Sequence, residues 1–169
     1  MKETEKPFSF SDYINKIVHR KPLVAVIGAG SCNQEIYDLA EEVGKEIAVR
    51  QGIVVCGGLF GVMEACCKGA KTAGGLTIGI LPGRGIDEAN DYIDIPIATG
   101  QGIARNSIIA HTGRVAIAVD GKYGTLSEIG FFLQLGKPVI GLKTWDITED
   151  IIVAETPVIA VDKAFKFLV

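Results

Sequence analysis

The segment "RVAIAVDGKYGTLSE", residues 114–128, decides which fold this chain is expected to adopt. Its first half is a short run of alanine, valine and isoleucine, which is typical of a strand buried in a parallel sheet. Its second half brings Gly121, Gly124 and Thr125 together, a composition typical of a turn that leads into a helix. A buried strand, a glycine turn and a helix in direct succession form the repeating unit of an α/β sheet.

The same unit recurs on both sides of this segment. Apolar runs predict further buried strands at residues 23–30, 53–58, 76–83 and 137–143, with a short strand at 92–99. Apolar spacing predicts helices at residues 36–47, 61–75, 101–111 and 124–135, and a helix or turn at 162–169. The alternation predicts a single doubly wound, mostly parallel, Rossmann-like α/β sheet with helices on both faces. We expect residues 1–21 to be a leader with a short helix from about Ser9, and residues 22–169 to be the nucleotide-binding domain.

Composition and charge exclude several classes of protein. Hydrophobic residues make up 48% of the chain and charged residues 22%, which is typical of a globular domain. With a net charge of −3, the chain lacks the excess of basic residues that proteins binding nucleic acids or anionic membranes need. No apolar stretch approaches the roughly 18–20 residues of a membrane helix, and the first 21 residues lack a signal-peptide core. We therefore expect a cytoplasmic protein with neither membrane nor nucleic acid as partner.

The cysteines predict no metal site. The chain has four cysteines and two histidines, and they show no C-x-x-C pair or other metal-ligand spacing. We expect the cysteines to be small buried residues in a reducing compartment. The alternative concerns Cys32 and Cys56, which can face each other at neighbouring strand ends and leave room for a redox role.

Glycine clusters follow four of the predicted strands, as "GAGS", "GGLFG", "PGRG" and "DGKYGT". Ligands of such sheets bind at the carboxyl ends of the strands, where glycine lets backbone amides approach closely. Glycine also simply makes turns, but its recurrence at equivalent positions favours a binding crevice. The candidate ligand-binding residues are Gly28, Gly30, Ser31, Gly57, Gly58, Gly61, Gly121, Lys122, Gly124 and Thr125.

The helix that begins at Gly124 and Thr125 is the best candidate for a phosphate site. Its free N–H groups and the positive end of its dipole suit an anion, and Thr125 can add a hydroxyl donor. The alternative is an ordinary helix start, in which Thr125 and Glu128 form a T-x-x-E capping box. A conventional dinucleotide site is not expected, because Asn33 replaces the third fingerprint glycine and Cys56 and Gly57 stand where a ribose-binding carboxylate belongs.

Two longer segments resemble a known family. "CGGLFGVMEACCKGAKTAGGLTIGILPG", residues 56–83, resembles the G-G-x-x-G-[LV]-M segment of the LONELY GUY (LOG) proteins and the wider SLOG group of Rossmann-like nucleotide binders. "ARNSIIAHTGRVAIAVDGKYGTLSE", residues 104–128, resembles that family's Arg-Lys helix and P-G-G-x-G-T-x-x-E signature, with matching spacing. The resemblance extends over residues 23–142. It implies a phosphate held by Gly121, Gly124 and Thr125.

The resemblance also implies a catalytic pair. LOG-type members, often mislabelled lysine decarboxylases, cleave the N-glycosidic bond of nucleoside 5′-monophosphates. By this resemblance Glu128 is the catalytic carboxylate and Arg105 its partner. A carboxylate can stabilise the oxocarbenium-like cation of such cleavage, and a guanidinium can grip phosphate or hold the carboxylate. The alternative for this pair is an ordinary salt bridge between helices.

Four positions depart from the signature: Asp120 and Lys122 replace its proline and second glycine, Asn106 the lysine, and Ser127 the first glutamate. Asp120 brings a negative charge towards the expected phosphate, which Lys122 or Arg105 has to compensate. With these departures the chain looks closer to the DprA/Smf-related branch, which is similar to the molybdenum-cofactor carrier proteins. Those carriers bind a phosphorylated pterin without turning it over.

These observations predict a protein that binds a phosphorylated, nucleotide-like small molecule. LOG-like phosphoribohydrolase activity is one form of this prediction, and a non-catalytic carrier or sensor, for example of molybdenum cofactor, is the alternative. No cofactor is firmly implied beyond a molybdopterin-type ligand. The segment "SEIGFFLQLG", residues 127–136, is apolar on more than one face, which predicts a homodimer or homotetramer.

Overall fold

The structure, a computed structural model, describes residues 21–168, and these residues form a seven-stranded sheet covered by helices. Its strands are β1 Leu23–Gly28, β2 Ile53–Cys56, β3 Leu76–Leu81, β4 Ile95–Ala98, β5 Val115–Val119, β6 Val139–Leu142 and β7 Ile151–Val153. Its helices are α1 Gln34–Val49, α2 Val62–Thr72, α3 Asn106–Thr112, α4 Tyr123–Gln134 and α5 Pro157–Phe165. A 3₁₀ turn, Gly102–Arg105, leads directly into α3.

The strand order is β4-β3-β2-β1-β5-β6-β7, and every neighbouring pair is parallel. The chain starts at the centre of the sheet, builds outwards to β4, then returns to place β5 beside β1. The order therefore reverses between β1 and β5, which is where ligands bind in sheets of this kind. This topology confirms the predicted doubly wound, Rossmann-like fold.

Alternating side chains of the strands fill two hydrophobic layers. Val24 and Val26 of β1 face the layer that contains α1, α2 and α5. Ala25 and Ile27 of the same strand face the opposite layer, which contains α3 and α4. Because both faces are covered, the central strands carry apolar residues at nearly every position rather than at every second one.

The structure corrects the sequence prediction for the last strand and the last helix of the chain. β7 was not predicted, since it is a short edge strand whose third residue, Val153, is exposed. The last helix begins at Pro157 rather than at Asp162. Thr156 caps it by accepting a hydrogen bond from the Ile159 amide at 3.3 Å, and Pro157 occupies the first helical position.

Two further predictions concern a helix near the N-terminus and membrane-spanning helices. The helix predicted from about Ser9 lies outside the described residues. Within the described part of the chain, no helix combines the length and the apolarity that crossing a lipid bilayer requires.

Candidate functional site

A pocket of about 310 Å³ opens where the strand order reverses. The end of β1, the 3₁₀ turn before α3 and the first turn of α4 form most of its wall, because all three lie at the carboxyl edge of the sheet. The wall consists of Gly28, Ala29, Gly30, Met63, Pro82, Gly102, Ile103, Arg105, Asn106, Lys122, Gly124, Thr125 and Glu128.

The first turn of α4 presents free backbone amides to this pocket. Lys122 is the N-cap residue, its backbone is extended, and no side chain caps the helix. Leu126 is the first residue whose amide reaches an acceptor in this turn, at 2.9 Å from the Lys122 carbonyl. The amides of Tyr123, Gly124 and Thr125 precede it, so they remain available to an anion.

The capping-box alternative is therefore wrong for this helix. The helix starts at Tyr123, so Thr125 lies inside its first turn rather than at the N-cap. Glu128 does not reach back to the helix start, because its carboxyl group contacts Arg105 instead. This peptide is therefore an uncapped helix start that faces a pocket.

The turn before α4 depends on a close backbone approach. Gly121 has a φ of +125°, and a Cβ added there would come within 2.6 Å of the Thr125 side chain. Asp120 also has a positive φ, and its carbonyl accepts a hydrogen bond from Thr144 Oγ1 at 2.5 Å, which fixes the turn to the end of β6. The Asp120 side chain is absent from the pocket wall, so its charge does not line the candidate phosphate site.

Arg105 and Glu128 meet inside the pocket wall. Both are buried, at 7% and 6% exposure, and Arg105 Nη1 lies 3.4 Å from Glu128 Oε1. Burial raises the pKa of Glu128 to about 8, against the opposing effect of Arg105. Burial also lowers the pKa of Arg105, although a guanidinium keeps its charge at any ordinary pH. At neutral pH the pair is therefore a cation beside a largely protonated acid.

Asn106 connects this pair to the first turn of α4. Its Oδ1 accepts a hydrogen bond from Arg105 Nη1, and its Nδ2 donates to Ser127 Oγ at 2.9 Å and to the Gly124 carbonyl at 3.3 Å. Asn106 was not among the predicted site residues. The signal was present in the sequence, because Asn106 and Ser127 both depart from the family signature and prove to be hydrogen-bonded to each other.

One polar atom of Arg105 has no partner. Arg105 Nη2 donates to the Gly57 carbonyl at 3.5 Å, but Nε is buried and makes no hydrogen bond with the described residues. A buried N–H group without an acceptor destabilises the folded protein, so Arg105 Nε is available to donate a hydrogen bond to a ligand oxygen or nitrogen.

The predicted ligand-binding residues fall into two groups. Gly28, Gly30, Lys122, Gly124 and Thr125 line the pocket, as do Arg105 and Glu128. The others do not, and packing accounts for several of them: a Cβ on Gly57 would collide with Arg105, and one on Gly61 with the Ala29 carbonyl. The residues that lie outside the wall are Ser31, Gly57, Gly58, Gly61 and Gly121.

Three of the four cysteines are buried, as expected, but Cys56 does not face Cys32. The sulfur neighbours of Cys56 are Cys66 and Cys67, and Cys32 does not belong to this group. Spacing along the chain did not reveal this group, because the end of β2 and the second turn of α2 meet in the fold although Cys56 and Cys66 lie ten positions apart in sequence.

The sequence matches one family model over most of its length. Residues 21–164 match the model described as the SLOG cluster4 family. An uncharacterised protein of Archaeoglobus fulgidus is 50% identical over 139 residues, which cover 82% of this chain and 91% of that protein. The cytokinin riboside 5′-monophosphate phosphoribohydrolase of Mycobacterium tuberculosis is 31% identical over 132 residues, covering 72% of this chain and 71% of the enzyme.

Two solved structures are similar over nearly their whole length. The molybdenum cofactor binding protein of Rippkaea orientalis superposes with a TM-score of 0.84 at 34% identity, covering 89% of this chain and 99% of that one. The molybdenum cofactor carrier protein of Chlamydomonas reinhardtii superposes with a TM-score of 0.79 at 36% identity, covering 88% and 99%.

Proposed function

We propose, because this chain belongs to the SLOG cluster4 family, that its pocket binds a phosphorylated, pterin-type small molecule as cargo. The two solved relatives named for molybdenum cofactor support this ligand class, since they match this chain over nearly all of their own length. The observation that carries the proposal is the uncapped start of α4, whose free amides face the pocket beside Lys122.

The phosphate of such a ligand fits the first turn of α4. The amides of Tyr123, Gly124 and Thr125 have no acceptor of their own, and the helix dipole favours negative charge at this end. Lys122 adds a positive charge on an exposed, flexible side chain. Together they supply the two features that bind phosphate in proteins, namely converging amides and a nearby cation.

The rest of the wall fits a flat heteroaromatic ring. Met63, Pro82 and Ile103 give it apolar surface. Arg105 Nε adds a buried donor that lacks a partner, and a pterin offers ring nitrogens and a carbonyl oxygen as acceptors. These residues hold and orient the ligand. The molybdenum chemistry belongs to the cargo itself.

The protonation state of Glu128 favours holding the ligand over cleaving it. Cleavage of a glycosidic bond develops positive charge on the sugar, which an ionised carboxylate stabilises and a neutral carboxyl group does not. With a pKa of about 8, Glu128 is mostly neutral at pH 7 and acts as a hydrogen-bonding group.

A second candidate function is hydrolysis of a nucleoside 5′-monophosphate. It is favoured by the position of Arg105 and Glu128 together in the pocket wall, and by the similarity to the Mycobacterium tuberculosis enzyme. Because hydrolysis needs Glu128 ionised, this function predicts turnover that rises as the pH approaches and exceeds 8.

The phosphate site is tested by replacing Gly124 with alanine. A Cβ at Gly124 meets no atom within 4 Å, so Gly124→Ala leaves the fold intact while it places a methyl group on the pocket wall. Gly130→Ala is the matched control, since Gly130 lies in the same helix, also meets nothing and is not part of the wall. We expect Gly124→Ala to weaken binding of isolated molybdenum cofactor at least about tenfold, a loss of roughly 1.4 kcal/mol, with Gly130→Ala unchanged.

Binding and hydrolysis measurements distinguish the two candidate functions. Failure of the wild-type protein to bind the cofactor in anaerobic equilibrium measurements, or equal affinity of both variants, contradicts the proposal. Incubation with AMP, followed by assay of free adenine, tests hydrolysis. Release of adenine by the wild type that Glu128→Gln abolishes would replace the carrier function with the hydrolase.

A further inference from the structure

Three thiols come together beneath the pocket. Cys56 ends β2, and Cys66 and Cys67 lie on α2, which packs on that strand. All three side chains are fully buried, and their sulfur atoms lie within 4.8 Å of one another. The Cys56 and Cys67 sulfurs lie 3.5 Å apart.

We propose that Cys56, Cys66 and Cys67 bind one Cu(I) ion in trigonal thiolate coordination. Three sulfurs that surround one ion at a metal–thiolate distance of about 2.3 Å lie roughly 4 Å apart when they are coplanar with it. The separations in this cluster bracket that value, so binding requires only small side-chain movements. This site is independent of the ligand that the pocket holds.

The three thiol donors favour Cu(I) over zinc. Zinc in closed protein sites takes four ligands in a tetrahedron, and no histidine, aspartate or glutamate of the described residues joins the three thiols. The site also excludes water, since none of the three side chains is exposed. Three soft donors shielded from water suit a monovalent ion that prefers thiolate and accepts low coordination.

A hydrogen-bond donor and a positive charge lie next to the Cys56 sulfur. The Gly58 amide donates a hydrogen bond to Cys56 Sγ at 3.3 Å. The Arg105 guanidinium, held at the Gly57 carbonyl, brings a buried positive charge next to Cys56. Thiolates are the metal-binding form of cysteine, and these two contacts stabilise negative charge at Cys56.

Met63 connects the cluster with the pocket. Its side chain lines the pocket, its sulfur occupies the space beside Gly57, and its carbonyl accepts a hydrogen bond from Cys66 Sγ at 3.1 Å. The Met63 thioether therefore lies between the pocket and the thiols. The alternative is that the three cysteines only fill the core, in which case their loss changes stability alone.

The test is titration of the reduced, metal-free protein with Cu(I) under anaerobic conditions, in competition with the chromophoric chelator bicinchoninate. We expect the wild type to take one Cu(I) per chain from the chelator. Cys66→Ala and Cys67→Ala should each lower the affinity at least about tenfold. Cys32→Ala is the matched control, because Cys32 is the cysteine outside the cluster, and it should bind like the wild type.

X-ray absorption spectroscopy of the wild type gives a measurement that does not depend on variants that fold. Three sulfur neighbours of copper at about 2.3 Å are expected. Uptake that depends on Cys32, uptake unchanged in Cys66→Ala and Cys67→Ala, two sulfur neighbours instead of three, or no uptake would each overturn the proposal. Circular dichroism confirms that each variant compared is folded.

Discussion

Glu128 is the residue at which burial and charge oppose each other most strongly. Glu128 is 6% exposed, and among the described residues the cation that contacts its carboxyl group is Arg105, at 3.4 Å. Arg105 also bonds Asn106 and the Gly57 carbonyl, so its charge is shared among several acceptors. Desolvation consequently outweighs the ion pair, and the acid keeps its proton in the folded protein.

This protonation state predicts how stability depends on pH. The unfolded chain loses the Glu128 proton near pH 4.3, whereas the folded protein keeps it to about pH 8. Between these values the folded state binds the extra proton, so its free energy of unfolding falls as the pH rises. We expect Glu128→Gln, whose amide remains neutral, to gain on the order of a few kcal/mol relative to wild type between pH 5 and 8.

Urea denaturation of both proteins across this range measures the difference. Glu155→Gln is the control, because Glu155 is exposed and forms no part of the pocket. It should track the wild type at every pH. A difference between Glu128→Gln and wild type that stays constant from pH 5 to pH 8 would show that Glu128 is ionised throughout.

Among single residues, the sequence predicted those that lie near strand ends. It missed those whose contacts join separate helices and strands. Arg105 and Glu128 were identified through the family signature, and parallel strands bring both to one edge of the sheet. Asn106 and the three-cysteine cluster were missed, because the contacts that define them join positions far apart in sequence. Gly57 and Gly61 were assigned to ligand approach, whereas their lack of a side chain admits Arg105 and the Ala29 carbonyl.

Among the elements, α4 combines a weak start with a position at the pocket. Its N-cap residue, Lys122, has the extended backbone of a good cap but lacks a side chain that can accept a hydrogen bond. Helices normally satisfy their first amides with Ser, Thr, Asp or Asn at this place. Leaving them free reduces stability and provides donors for the anion that we propose.

Lys122→Ser should therefore separate stability from binding. A serine hydroxyl at the N-cap accepts a hydrogen bond from the first turn, which stabilises the protein by about 1 kcal/mol and raises Tm by roughly 2–4 °C. The same oxygen competes with a phosphate, and the positive charge is lost, so ligand affinity should fall. Differential scanning calorimetry and equilibrium binding measure the two effects.

Lys166→Ser controls for the loss of one exposed positive charge. Lys166 lies at the end of α5 and is absent from the pocket wall. This variant should bind the phosphorylated ligand like the wild type. A Lys122→Ser protein that is more stable and binds equally well would remove the first turn of α4 from the site.

The two elements that the sequence did not predict correctly, β7 and α5, were missed for different reasons. β7 has three residues and is recognisable only by its pairing with β6. The start of α5 was misplaced although Thr156 and Pro157 carry an ordinary start signal. Its apolar period was read from "DKAFKFLV", which lies near the end of the helix.

For the whole molecule, alternating strand and helix patterns were sufficient to predict the sheet. Right-handed crossovers and buried parallel strands leave few topologies for such a chain, and the observed order is one of them. The order in turn places the pocket, because the loops after β1 and β5 diverge to opposite faces and leave a crevice between them. The position of the site thus follows from topology, whereas its chemistry follows from a few side chains.

Assembly is the property of the whole molecule that remains a prediction. One face of α4 is buried through Ile129 and Phe132, as the sheet requires. Phe131 and Leu135, one turn apart on the same helix, each remain 40% exposed. Adjacent apolar residues on the outer layer of a sheet favour contact with a second copy of the chain, so we predict a homodimer or homotetramer that uses this face.

Phe131→Glu tests this assembly by placing a charge on the exposed face of α4. A buried, unpaired carboxylate at a subunit interface is costly, so the variant should sediment as a monomer at micromolar concentration where the wild type does not. Val49→Glu is the matched control, since Val49 is 61% exposed and ends α1 in the opposite layer of the molecule. Because Ile129 and Phe132 hold α4 on the sheet, Phe131→Glu should leave the monomer folded. A monomeric wild type, or dissociation by Val49→Glu instead, would rule this face out.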